Sequence, residues 1–82
     1  LKKRYLQPIK LLVEDMPGQL GKIGSCLGEM NISIRDVKME NMEEGKLLIT
    51  LMVRKINNLE YEELKQKLLQ MDGIYDITAE PR

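Results

Sequence analysis

The chain has no histidine, no tryptophan and no phenylalanine, and only one cysteine, Cys26. Without an imidazole, general acid–base work would fall to carboxylates, lysine or tyrosine, and a serine, threonine or Cys26 nucleophile would lack its usual base. The domain is therefore read as non-catalytic. A lone thiol excludes an internal disulfide, and with no histidine beside it there is no nitrogen and sulfur set for zinc. No metal and no cofactor is expected, and the setting is read as reducing and cytoplasmic. The only aromatic rings belong to Tyr5, Tyr61 and Tyr75, too few for a base-stacking RNA surface on a sheet. An excess of charge is also missing: thirteen Lys and Arg balance thirteen Asp and Glu, so no global field steers the chain toward nucleic acid or a membrane. No apolar run approaches a bilayer span, and the opening L-K-K-R-Y lacks the apolar core of a signal peptide. The first residue is Leu1 rather than methionine, which suggests a piece cut from a longer protein.

What is present, in 82 residues, is patterning for one small domain that buries roughly 60–65% of its unfolded surface. From Pro8, the residues Ile9, Leu11 and Val13 alternate with Lys10, Leu12 and Glu14, the period of a strand covered on one face. Asp15 closes that run and Pro17-Gly18 is a turn signal, with Pro17 suited to a first helical turn. Leu20, Ile23, Leu27 and Met30 then recur along one helix face. Gly21, Gly24 and Gly28 form a stripe beside that face, which predicts close packing of the helix on a neighbour. Cys26, next to Leu27, reads as a small buried hydrophobe. A second strand begins at Ile32 and slips phase near Arg35-Asp36, where a bulge is expected. Asn41 to Gly45 reads as a hairpin loop. A third strand follows, apolar on both faces and so central, with Leu47, Ile49, Leu51 and Val53 on one side. Asn57 and Asn58 are candidate N-caps of a second helix carrying Tyr61, Leu64, Leu68 and Met71. Gly73 would be its C′ residue, and Ile74 to Glu80 a last strand.

The order β-α-β-β-α-β predicts an α+β, ferredoxin-like sandwich: a four-stranded antiparallel sheet, order 2-3-1-4, with both helices on one face. That plan hosts many functions. Metal carriers on it need paired thiols, which are absent. A phosphate-contacting patch would draw on Lys2, Lys3, Arg4, Lys10, Lys38, Arg54 and Lys55.

The runs D15-M-P-G-Q-L-G-K-I, L27-G-E-M-N-I-S-I and D72-G-I-Y-D-I resemble an ACT domain, the small-molecule-binding regulatory module of amino-acid metabolism. The resemblance divides the chain into a linker end, 1–7, and a single ACT domain, 8–82. It implies a homodimer that holds an amino-acid effector between the first loop of one copy and the second strand of the other. Carried over, Asp15, Met16, Gly18, Gln19 and Leu20 form one wall and Asn31, Ile32 and Ser33 the second. Free N–H groups at Gly18 to Leu20 would take the ligand carboxylate, Asp15 or Asn31 its ammonium, and Leu20 and Ile32 its apolar side chain. Each residue also has a purely structural use: Gly18 for the turn, Asp15 as a helix cap, Asn31 as a left-handed helix exit and Ile32 in the core. Met16 and Gln19 depart from the family pattern, which often places Arg and an apolar residue there. Among ACT domains the chain is most similar to the C-terminal one of Rel-type bifunctional (p)ppGpp synthetase/hydrolases, the GTP pyrophosphokinases of the stringent response. That likeness implies control of a catalytic half through partner domains or the ribosome. Two alternatives stay open: a feedback sensor of an amino-acid biosynthetic enzyme, and an RNA or ribosome contact without a small ligand. No membrane partner is expected.

Overall fold

In a computed structural model that describes residues 6–79, the elements run β1 Leu6–Glu14, α1 Gln19–Glu29, β2 Ile34–Asn41, β3 Lys46–Arg54, α2 Asn58–Leu69 and β4 Ile74–Ala79. The strands form one antiparallel sheet in the order β2-β3-β1-β4, with both helices on one face. This is the ferredoxin-like arrangement that the alternation of patterns predicts. The reason is visible in the two central strands. Ile9, Leu11 and Val13 of β1 and Leu47, Ile49, Leu51 and Val53 of β3 are buried on one face. Ile23 and Leu27 of α1 and Leu64 and Leu68 of α2 close over them. Burying such side chains is worth roughly 1.5–3 kcal/mol each.

The strand boundaries shift by a residue or two. β1 starts before Pro8, since Leu6 and Gln7 pair with Arg54 and Val53. β2 starts at Ile34 rather than Ile32, because the chain is still leaving α1 at Ile32. The bulge near Arg35-Asp36 is present as a register shift between Ile34 and Asp36, and the hairpin loop closes with Glu44 and Gly45 at positive φ. Tyr5, Glu80 and the basic run at residues 2–4 lie outside the described residues.

Five expectations about the helices meet a different arrangement. Pro17 is not in the first helical turn: Met16 to Gln19 form a β-turn in which the Gln19 N–H donates to the Met16 carbonyl at 3.2 Å. Gly18, at φ 78° and ψ 1°, has the left-handed conformation of the third position of a type II turn. The buried face of α1 is Gln19, Ile23 and Leu27, at steps of four, while Leu20 lies on the flank and is exposed. Among the described residues the glycine stripe packs on nothing outside its own helix, since a Cβ at Gly21, Gly24 or Gly28 would meet none of their atoms within 4 Å. Gly73 is not the C′ residue of α2, which ends at Leu69 with Gln70 as C-cap. Instead it turns the chain into β4, at φ 81°. Cys26 is half-buried against the core rather than enclosed by it.

Candidate functional site

The β1–α1 turn is built by three strand ends meeting at one edge of the sheet. Glu14 donates its N–H to the Gly73 carbonyl at 2.7 Å and Asp15 donates its own to the Gly45 carbonyl at 2.9 Å, so the turn is tied to both neighbouring connections. The Gln19 side chain completes the tie. Its Nε2 donates to the Glu14 carbonyl at 3.1 Å and to the Gly73 carbonyl at 3.3 Å. Gln19 is 2% exposed, and its Oε1 is buried without a hydrogen-bond partner. Such an orphan costs roughly 1–3 kcal/mol, which the two donated bonds offset. Gly73 must lack a side chain here, because a Cβ would lie 2.7 Å from Gln19 Nε2 and 3.0 Å from Met16 Sδ.

Around this buried tie the turn presents polar groups to solvent. Asp15, Pro17, Gly18 and Leu20 are exposed and Met16 is half-buried. Asp15 does not cap the helix, since no side chain does. With the Gln19 N–H engaged, the backbone donors left open at the start of α1 are those of Gly18, Leu20 and Gly21. They sit at the positive end of an 11-residue helix, where a carboxylate is favoured.

The second set of candidate residues ends the same helix. Asn31, at φ 63°, donates its N–H to the Gly28 carbonyl at 3.0 Å, and Ile32 donates to the Leu27 carbonyl at 2.9 Å. These two bonds are a Schellman motif with asparagine in the left-handed position. Its accompanying apolar contact joins Ile32 to the core, leaving Asn31 and Ser33 as the exposed members. Arg54 holds this connector. Its Nε donates to the Asn31 carbonyl at 3.1 Å, its backbone N–H donates to the Ser33 carbonyl at 3.3 Å, and its Nη2 meets Glu60 Oε2 at 2.8 Å. Glu60 also accepts from the Asn57 N–H while Asn57 Oδ1 accepts from the Glu60 N–H, a capping box that selects Asn57 over Asn58 as the N-cap. The hydrogen bonds from Arg54 and then from the Asn57 backbone hold the Glu60 carboxyl below its ordinary range, and Glu60 in turn raises Arg54.

Neither Arg54 nor Glu60 is among the wall residues that the sequence suggests. The Asn57-x-x-Glu60 pattern was the one available signal, and the reach from Arg54 to Asn31 depends on β3 running beside β2. Arg54, one of the residues expected in a basic patch, is engaged in these contacts.

The two sets do not meet within one chain. The turn at 15–20 follows Glu14, paired with Lys46 at the start of β3, whereas residues 31–33 precede Ile34, paired with Val53 near its end. The nine residues of β3 separate those ends by roughly 27 Å. A groove of about 640 Å³ runs between the helices, lined by Gly18, Gly21, Ser25, Cys26 and Met71 among others. It touches the first set alone. Burial pushes the Cys26 thiol pKa up there, with Lys67 opposing the rise, so the thiol is not activated. Among the described residues no cluster of three potential metal ligands occurs, and no helix is long and apolar enough to cross a membrane.

Comparison with known proteins places this geometry. The sequence profile of the ACT domain family matches residues 1–78. The structure is similar to the ACT domain of the GTP pyrophosphokinase of Chlorobium tepidum, with 23% identity, a TM-score of 0.72, and coverage of 92% of this chain and 96% of that one. It is also similar to the small subunit of acetolactate synthase from Thermotoga maritima, at 17% identity and a TM-score of 0.76, covering 90% of this chain and 46% of that one. The regulatory subunit of aspartate kinase from Thermus thermophilus matches at 20% identity and a TM-score of 0.74, covering 94% and 51%. At these identities the likenesses establish the fold. No curated protein matches the chain in sequence.

Proposed function

The chain belongs to the ACT domain family, whose members are regulatory modules, and on that premise we propose that it acts as a cytoplasmic homodimer holding an amino-acid effector at the dimer interface. The observation that carries this reading is the separation of the two sets of exposed groups. Open N–H donors at Gly18 and Leu20 lie at one end of the sheet, and Asn31 and Ser33 lie at the other. A second copy paired antiparallel along β2 would bring opposite ends together, setting the turn of one protomer against residues 31–33 of its partner. Three features of that edge suit such pairing. β2 is an edge strand. Val37 and Met39, which pair with Leu51 and Ile49 and so share their helix-side face, are 38% and 47% exposed. Leu20, Gly24 and Gly28 follow at four-residue steps on the flank of α1 away from α2, where the glycines leave room for a neighbour.

In this arrangement the N–H groups take the effector carboxylate and Asp15 or the partner's exposed Asn31 takes its ammonium. Leu20, with Met16 behind it, meets an apolar side chain. Ile32 and Gln19 face inward and serve as supports. The likeness to the Chlorobium tepidum domain supports a parent protein of the Rel-type (p)ppGpp synthetase/hydrolase class, in which the effector acts by binding one arrangement better than another. The comparably similar acetolactate synthase and aspartate kinase subunits support a second reading, a feedback sensor in amino-acid synthesis. Titrating the domain at high concentration with each of the twenty amino acids, followed by amide chemical shifts, tests both. Saturable shifts confined to residues 15–21 and 31–33, abolished by Gly18→Val with the fold retained, are expected. A flat response from a confirmed dimer would refute the effector and leave contact with partner domains or the ribosome.

A further inference from the structure

We infer that Gln19 and Arg54 are the positioning residues of the two walls, Arg54 through the first turn of α2 and Gln19 through the turn that follows it, which makes one helix common to the two ends of the sheet. The inference rests on the dimer reading above for its consequence, while the coupling itself lies within a single chain. α2 contributes no candidate contact to an effector, yet the second wall is fastened to its first turn and the first wall to the turn that follows it. At the end of the sheet where β3 stops, the Arg54 guanidinium spans from the Asn31 carbonyl to Glu60 in the first turn of α2. At the other end, the turn that follows α2 is tied to the first wall. Met71 donates to the Leu68 carbonyl at 3.0 Å, Ile74 donates to the Met71 carbonyl at 3.4 Å, and the Gly73 carbonyl between them accepts from Glu14 N–H and Gln19 Nε2.

α2 lies between these ties. Its twelve residues span about 18 Å, and its inward contacts are Leu64, Leu68 and the Tyr61 hydroxyl, which donates to the Ile77 carbonyl at 3.2 Å. Toward α1 it is not close-packed, because the groove there is lined by Gly21 and Ser25. A shift of α2 along or across the sheet would lengthen the Arg54 contacts, the Gly73 contacts, or both.

The consequence follows from symmetry. In the dimer each effector site takes its first wall from one protomer and its second from the partner. A single α2 is then tied to a wall of both sites, so filling one site biases the helix that positions a wall of the other. The sites become energetically coupled without any contact between their ligands.

Native-state hydrogen exchange of the 82-residue chain tests the coupling without an effector. Glu60→Gln removes the charge that holds Arg54. Exchange at Ile32 to Ile34 is expected to rise, and so is exchange at the remote N–H groups of Glu14 and Ile74, each by roughly fivefold or more. Ile49 and Leu51 in the core of β3 should hold their rates, which separates local release from general destabilisation. Arg54→Lys keeps the charge but loses the planar fork, and is expected to give an intermediate response at both ends. Acceleration only at residues 31–34, or an equal rise at every amide, overturns the inference. The amino-acid titration is the separate arm. Two unequal binding steps in the wild type that become equal in Glu60→Gln support coupled sites, and equal steps in both proteins overturn them. Absence of any saturable binding sinks the effector reading, while the exchange data still decide the role of α2.

Discussion

The two ends of α1 make an instructive pair. Both are left-handed exits or entries, both border a candidate wall, and both are fastened to α2 or its following turn, but by opposite chemistries. At the entry, a neutral amide is sealed from water and donates to two carbonyls. At the exit, a charged and partly solvated guanidinium bridges a carbonyl and a carboxylate. Burial makes the first tie strong, geometrically demanding and indifferent to salt or pH. Solvation makes the second weak, adjustable and sensitive to both. The entry is thus the rigid anchor and the exit the adjustable one.

The largest effect should come from inverting the buried chemistry. Gln19→Glu would place a carboxylate against the Glu14 and Gly73 carbonyls in a site closed to water. A loss of roughly 3 kcal/mol or more at neutral pH is expected, read by denaturant unfolding. Protonation restores one donor, so part of the loss should return as pH falls through the raised carboxyl pKa. No such recovery would mean that the amide is not the tie.

Next is Gly73→Ala, which combines a positive φ with a Cβ only 2.7 Å from Gln19 Nε2. About 2 kcal/mol of destabilisation is expected, and pairing it with Gln19→Ala should be less than additive. Gly24→Ala, midway between the ends, probes neither tie. Its Cβ would enter open space, so the monomer should gain about 1 kcal/mol from helix propensity. Sedimentation should show that the same change weakens the dimer if this flank is the interface.

The mildest test is acid. The folded Glu60 pKa is depressed below the ordinary carboxylate value of about 4.3, so its contribution is present above that pH and lost as pH falls through the folded value. Amide shifts at Asn31 to Ile34 should then move together as pH falls below the ordinary carboxylate range, while those of Glu14 and Gln19 at the buried tie follow only if α2 carries the change. High salt should act in the same direction on the exit and leave the entry unmoved.

Much of this was legible in the residues. The β-α-β-β-α-β order came from periodicity, since period-2 runs such as Leu47 to Val53 and steps of three and four in α2 reflect single-face burial that any fold must satisfy. Special backbone positions were legible too: Gly18, Asn31 and Gly45 stand where positive φ is needed and few other residues tolerate it. The candidate walls were legible as turn chemistry together with a family resemblance. Their supports were not. Gln19 reads from the sequence as a wall residue beside Leu20, and only the docking of α1 on the sheet turns it inward and Leu20 outward.

Local sequence determined which segments form helices and strands and where they turn, because those choices depend on neighbours within a few residues. The tertiary structure alone decided that Gly73 lies against Gln19 and that Arg54 reaches Asn31. Such contacts join residues 54 and 23 positions apart, and only strand register and helix docking bring them within hydrogen-bonding distance.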